Sequence, residues 1–199
     1  MSTSEGPPPS GDQVWVDELA PDVPARLHLL TLCTGNAARS VMAGYMLEAR
    51  AEAEGLPVAV ATAGTHVVDG QPMSARTRSA LLSVEEMAEA AVSRHRSHQL
   101  DEADLARADL VLAMEADHVR YVRVRHPGAA GRTATLRRLC RDLSPGPAPL
   151  AERLAALALD QVELGDDEDV ADPAGGEQDV YTACAQELWV LTGRLFELL

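Results

Sequence analysis

Between positions 27 and 32 the chain is apolar almost without a break, Leu27-His28-Leu29-Leu30-Thr31-Leu32. The run is short and bounded by Cys33-Thr34-Gly35-Asn36, which predicts a strand over 26–33 buried on both faces of a parallel sheet. From Arg39 the period changes. Val41, Met42, Tyr45, Met46 and Ala49 recur at helical spacing, and Gly55 is a helix-stop signal. The alternation then repeats. A strand is predicted over 57–61, a helix over 74–91 with Ser74 as its cap, and a short helix over 101–108. A strand follows over 108–114, then a helix over 115–126 that ends at Pro127-Gly128, and a short strand over 133–136. The last helix, 179–199, places Leu188, Leu191, Leu195 and Leu198 on one face. Strands alternating with helices predict an α/β fold, a three-layer αβα sandwich around a four-stranded parallel sheet in the order 2-1-3-4. The site belongs at the carboxyl ends of the strands, where the winding reverses.

Two regions break this rhythm. Gly6-Pro7-Pro8-Pro9-Ser10 cannot propagate a helix or strand, so residues 1–25 read as a mostly disordered tail ahead of one domain over 26–199. Residues 140–170 are irregular: Pro145, Pro147 and Pro149 interrupt the chain, and 150–159 is a helix candidate.

The junction between the first strand and helix carries the chemistry. Cys33 and Arg39 stand six positions apart across Thr34-Gly35-Asn36-Ala37-Ala38, and Ser40 follows. Gly35 and Asn36 suit positive φ, so the loop can curl its N–H groups around an anion at the helix N-terminus. Those donors and the fixed charge of Arg39 favour a thiolate at Cys33. The result is a nucleophile beside an oxyanion receptor.

Composition narrows the context. The chain has 199 residues and a net charge of −14, which disfavours nucleic-acid binding. All its Lys+Arg residues are arginines. No apolar run has the length of a membrane span, and no basic, apolar leader pattern opens the chain, so a cytoplasmic location is expected, with no membrane partner. Three cysteines without framework spacing suit a reducing compartment, and Cys140 and Cys184 read as ordinary buried thiols. No His/Cys grouping has zinc spacing, and neither metal nor cofactor is expected. Arg120, Arg123 and Arg125 read as a solvated helix face, with a basic docking patch as the sharper alternative.

Cys33-Thr34-Gly35-Asn36-Ala37-Ala38-Arg39-Ser40 resembles the phosphate-binding loop of the low-molecular-weight protein tyrosine phosphatases, a superfamily shared with thiol-dependent arsenate reductases. Ala63-Gly64-Thr65, His95-Arg96-Ser97-His98-Gln99-Leu100, the 108–114 segment and Asp172-Pro173 resemble further family segments. The resemblance implies a phosphomonoester hydrolase working through a cysteinyl-phosphate. Cys33 would be the nucleophile and Arg39 the phosphate clamp, while residues 34–39 bind phosphate through their backbone. Asp172 would be the general acid and base. Ser40 would donate to the sulfur, with helix capping as a compatible role, and His95 would hydrogen-bond Asn36 and stiffen the loop. Implied ligands are a phosphorylated protein or small aryl phosphate, inorganic phosphate and other oxyanions.

The chain also departs from the family pattern. Ala38 stands where a second cysteine is frequent, Val41 replaces a proline, and His98 stands where arginine is usual. Val67, Val68 and Ala174 fill positions where aromatic residues wall the pocket, which puts a phosphotyrosine preference in doubt. Two rivals remain open at this point: an arsenate reductase served by a small-molecule thiol, and a phosphate- or phosphoprotein-sensing module with little turnover.

Overall fold

The computed structural model describes residues 26–87, residue 90 and residues 92–199. The expected tail, residues 1–25, lies outside the described residues. Four strands, β1 (Leu27–Cys33), β2 (Val58–Gly64), β3 (Leu110–Ala113) and β4 (Thr133–Thr135), pair in parallel in the order β2-β1-β3-β4. This is the predicted sheet. β2 runs three residues beyond its predicted end, which brings Gly64 level with Cys33 in the register.

Side chains of β1 alternate between two cores. Leu29 and Cys33 face the larger core, with α1 (Arg39–Glu54) and α7 (Gln178–Phe196). Leu30 and Leu32 face the smaller, with Leu105 of α3 (Glu102–Arg107) and Val122 of α4 (Ala116–Arg125). The period-2 pleat thus separates the helices into two layers. Buried Thr31 donates its hydroxyl to the Ser40 carbonyl at 2.8 Å and ties β1 to the first turn of α1. Nine consecutive residues of α1, Arg39 to Leu47, are buried, and Gly55 closes the helix in the left-handed conformation.

The helix predicted over 74–91 ends early. Ser74 caps α2 (Ala75–Leu82) by accepting from the Thr77 amide, as expected. At its end the Ser83 hydroxyl takes the Ala80 carbonyl at 2.7 Å, an alternative to helical bonding that serine offers readily. Short 3-10 turns over Glu85–Met87 and Val92–Arg94 follow, burying Met87 and Val92. The irregular 140–170 region holds the end of α5 (Leu136–Asp142) and α6 (Leu150–Ala156), which stops short of the predicted 159.

The acidic stretch after residue 160 is not all solvated charge. Glu168 is 1% exposed and pairs with Arg138, accepting from its Nε at 2.9 Å and from the Thr135 hydroxyl at 2.9 Å. Asp169 accepts the Ala116 amide at 2.7 Å, at the start of α4. The Val170 amide donates to the Met114 carbonyl. The segment leading to Asp172 is therefore fastened to the ends of β3, β4 and α4. Among the described residues no helix is long and apolar enough to cross a membrane.

Candidate active site

The loop between β1 and α1 is held from beneath by one residue. Asn36 is fully buried at φ 48°, the left-handed region that asparagine tolerates. Its side-chain amide donates to Ser40 Oγ at 3.1 Å and Thr62 Oγ1 at 2.9 Å, and its Oδ1 accepts the His98 amide at 2.9 Å. Its carbonyl can only accept, so His95, 2.9 Å away, presents a protonated Nε2 to it. Burial lowers the His95 pKa, consistent with a neutral ring. Gly35 does not take positive φ; of the pair expected to do so, Asn36 alone makes the turn.

Gly64 supplies the back wall. A Cβ there would lie 2.6 Å from the Thr34 carbonyl oxygen and 2.8 Å from the Asn36 nitrogen. The adjacent Thr65 and His66 amides donate to the carbonyls of Cys33 and Thr34 at 3.0 and 2.9 Å. With these carbonyls turned to the residues after β2, that of Asn36 to His95 and that of Ala37 to the Thr77 hydroxyl, the loop leaves the amides of residues 34–38 with no acceptor among the described residues. Such a concavity of N–H groups at a helix N-terminus is an anion receptor.

At the mouth of this cradle, Cys33 Sγ lies 2.9 Å from Ser40 Oγ. Asn36 also donates to that oxygen, and with Cys33 as a thiolate, which can only accept, the Ser40 hydroxyl hydrogen points at the sulfur. Ser40 does not cap the helix: α1 starts one residue earlier, with Ala38 at the cap position and no side-chain cap bond. Arg39, 2% exposed, donates Nη1 to the Val170 carbonyl at 3.0 Å and to Glu115. Its Nη2 lies 2.9 Å from Asp172 Oδ2. The structure thus brings Cys33, Arg39, Ser40 and Asp172 to one place, and Asp172 is 43% exposed beside them.

Sequence reasoning passed over Glu115 and His118. They sit three apart at the start of α4, so both face the loop. His118 Nε2 lies 2.9 Å from Thr34 Oγ1 and 3.5 Å from Glu115 Oε2. Its Nδ1 is buried without a partner among the described residues, and burial together with the Arg39 charge pulls its pKa down to about 4. The spacing Glu115-x-x-His118 after the third strand was the available signal.

Residues 28–144 match the model of the low molecular weight phosphotyrosine protein phosphatases. The chain belongs to this family. It is 35% identical over 172 residues to a protein-arginine-phosphatase of Geobacillus stearothermophilus, covering 86% of this chain and 95% of that one. It is 31% identical over 160 residues to a low molecular weight protein-tyrosine-phosphatase of Streptomyces coelicolor, covering 78% and 82%. The crystal structure of a low molecular weight protein tyrosine phosphatase from T. tengcongensis superposes with a TM-score of 0.68 at 30% identity, over 87% of this chain and 99% of that one.

Other residues raised by the sequence fall outside this family site. Burial raises the Cys140 pKa to about 11 and that of Cys184 to about 12, so both are unreactive thiols. His98 bonds Asp104 at 2.8 Å, and its pKa rises through that bond. Asp101 and Asp104, close to His98, cap α3 reciprocally. The pocket walls lack an aromatic at Val68 and Ala174, both exposed, but α4 contributes Tyr121, whose ring meets that of His66 edge-on at 5.8 Å.

Proposed function

We propose that this family member hydrolyses phosphorylated protein side chains, in the cytoplasm, through a cysteinyl-phosphate. The phosphoryl dianion lies in the amide cradle of residues 34–39, and Arg39 grips two of its oxygens. The Cys33 sulfur attacks phosphorus in line as the bond to the leaving group breaks. Asp172 gives its proton to the leaving atom. It then takes a proton from the water that attacks phosphorus, and the S–P bond breaks. Ser40 donates to the departing sulfur and so eases the second step. Amides and guanidinium stabilise the equatorial oxygens. The observation that carries this reading is the convergence of Cys33, Ser40, Arg39 and Asp172 on one loop. Hydrolysis of p-nitrophenyl phosphate by the wild type, with Cys33→Ser as control, tests it. Turnover should vanish in the variant while oxyanion binding survives; residual turnover at about a tenth of wild type overturns the scheme.

A phosphoarginine side chain is a second substrate reading. It is favoured by the arginine-phosphatase relative and by the non-aromatic residues Val68 and Ala174 at the mouth. Asp172 would then protonate the leaving guanidinium nitrogen. Peptides carrying phosphotyrosine or phosphoarginine, compared by kcat/KM, separate the two. The family relationship supports phosphate-ester chemistry over arsenate reduction or sensing without turnover.

A further inference from the structure

A second concavity, of about 540 Å³, opens beside the phosphate loop. Its lining includes His66, Val67, Val68, Gln99, Tyr121 and Arg125. It adjoins the loop: the His66 amide is bonded to the Thr34 carbonyl, and His118, one turn before Tyr121, touches the Thr34 hydroxyl. Its floor is fixed: Gln99 donates to the Thr65 carbonyl at 3.1 Å and accepts the Val67 amide at 3.0 Å. Tyr121 forms a wall, braced between the rings of His66 and His126.

Arg125 stands apart from the other arginines of α4. Arg120 pairs with Asp117 at 2.6 Å, and Arg123 donates to the carbonyls of Leu159 and Val162. Arg125 is exposed and has no ion pair or hydrogen bond among the described residues. Among the described residues it is the one Arg, Lys, Asp or Glu lining this concavity, on a chain of net charge −14. Such a cation on so acidic a protein, at the rim of a cleft beside the phosphate loop, selects a negatively charged occupant.

We propose that this cleft is a substrate subsite that takes an acidic side chain, Glu or Asp, of the phosphorylated protein. The proposal rests on the phosphatase reading above and adds a sequence preference to it. Arg125 lies seven residues beyond His118, about 10 Å along the helix at roughly 1.5 Å per residue. Extended peptide advances about 3.3 Å per residue, which puts the carboxylate about three residues from the phosphorylated one. The methylenes of a glutamate would lie on Tyr121 and Val67, and its carboxylate would meet the guanidinium.

The test uses phosphotyrosine and phosphoarginine peptides with Glu, Gln or Arg three residues to either side. Wild type should favour the Glu peptide over the Gln peptide by about two- to fivefold in kcat/KM on one of the two sides, the range of a solvent-exposed ion pair. Arg125→Gln should erase that ratio, and Arg125→Glu should invert it toward the Arg peptide. Hydrolysis of p-nitrophenyl phosphate should be unchanged in both variants. Equal kcat/KM for Glu and Gln peptides in wild type, or a preference that survives Arg125→Gln, overturns the subsite while the phosphatase reading stands. If no substrate is turned over, that reading falls instead. The same peptides titrated against Cys33→Ser protein then decide the subsite by affinity, with the same ratios expected and the same results overturning it.

Discussion

His118 should make the fold sensitive to mild acid, and the size of the effect follows from its surroundings. The imidazolium carries an N–H on both nitrogens, yet Nδ1 is buried without an acceptor among the described residues, and the charge would lie near Arg39. The folded-state pKa is therefore about 4, against an ordinary value of about 6.5 in the unfolded chain. Between those values the unfolded state binds the proton and the folded state does not, so stability is full above about 6.5 and falls as the pH drops toward 4. Going from pH 7 to pH 5 should cost roughly 2 kcal/mol through this one ring. Replacing it with glutamine keeps a polar nitrogen near the Nε2 position, toward Thr34, and removes the titration. Urea unfolding of wild type and His118→Gln at pH 7 and pH 5 gives the difference directly. Carboxylates common to both proteins cancel, and wild type should lose about 2 kcal/mol more than the variant. Equal losses, within about 0.5 kcal/mol, would refute the argument, as would an NMR titration placing the ring near 6.5.

Other changes have equally definite outcomes. Gly64→Ala should leave a folded protein with weakened phosphate binding, read by calorimetry, because the new methyl meets the Thr34 oxygen and Asn36 nitrogen. Glu168→Gln takes from the buried Arg138 the more buried of its two carboxylate partners, leaving Asp142 at 3.3 Å, and should cost about 2 kcal/mol in thermal or denaturant unfolding. In the wild type, burial raises the Glu168 pKa, but hydrogen bonds from Arg138 and Thr135 outweigh it and the net direction is down. Its contribution is thus present above the ordinary glutamate value and lost as pH falls below it. Asp172→Asn should reduce kcat by about 10²–10⁴ for substrates with poor leaving groups and much less for p-nitrophenyl phosphate. An equal loss on both would remove Asp172 from the acid role.

The alternation of strands and helices carried the sheet order, and the heart of the site was legible because it is local. The run from Leu27 to Ser40 encodes strand, turn and helix within fourteen neighbours, and Asp172 stood out because Pro173 follows it. Glu115 and His118 were silent because their relevance depends on the rotational phase of α4 against a loop some eighty residues earlier. Arg138 and Glu168 are thirty apart, and nothing in an acidic stretch says which carboxylate turns inward. The overlong second helix has the same origin. Ala- and Glu-rich sequence after Ser83 favours continuation, and the need to bury Met87 and Val92 overrides it.

The clamp on Arg39 has a consequence for selectivity. Glu115 and Asp172 already furnish the guanidinium with counter-charge. With the Val170 carbonyl, these partners take both Nη1 hydrogens and one on Nη2, and leave Nε–H and the other Nη2–H to a ligand's oxygens. An anion in the cradle thus meets a guanidinium whose charge is already balanced. A small monovalent ion such as chloride gains little there from charge alone, whereas a phosphoryl group fills the free edge of the fork and the amides together.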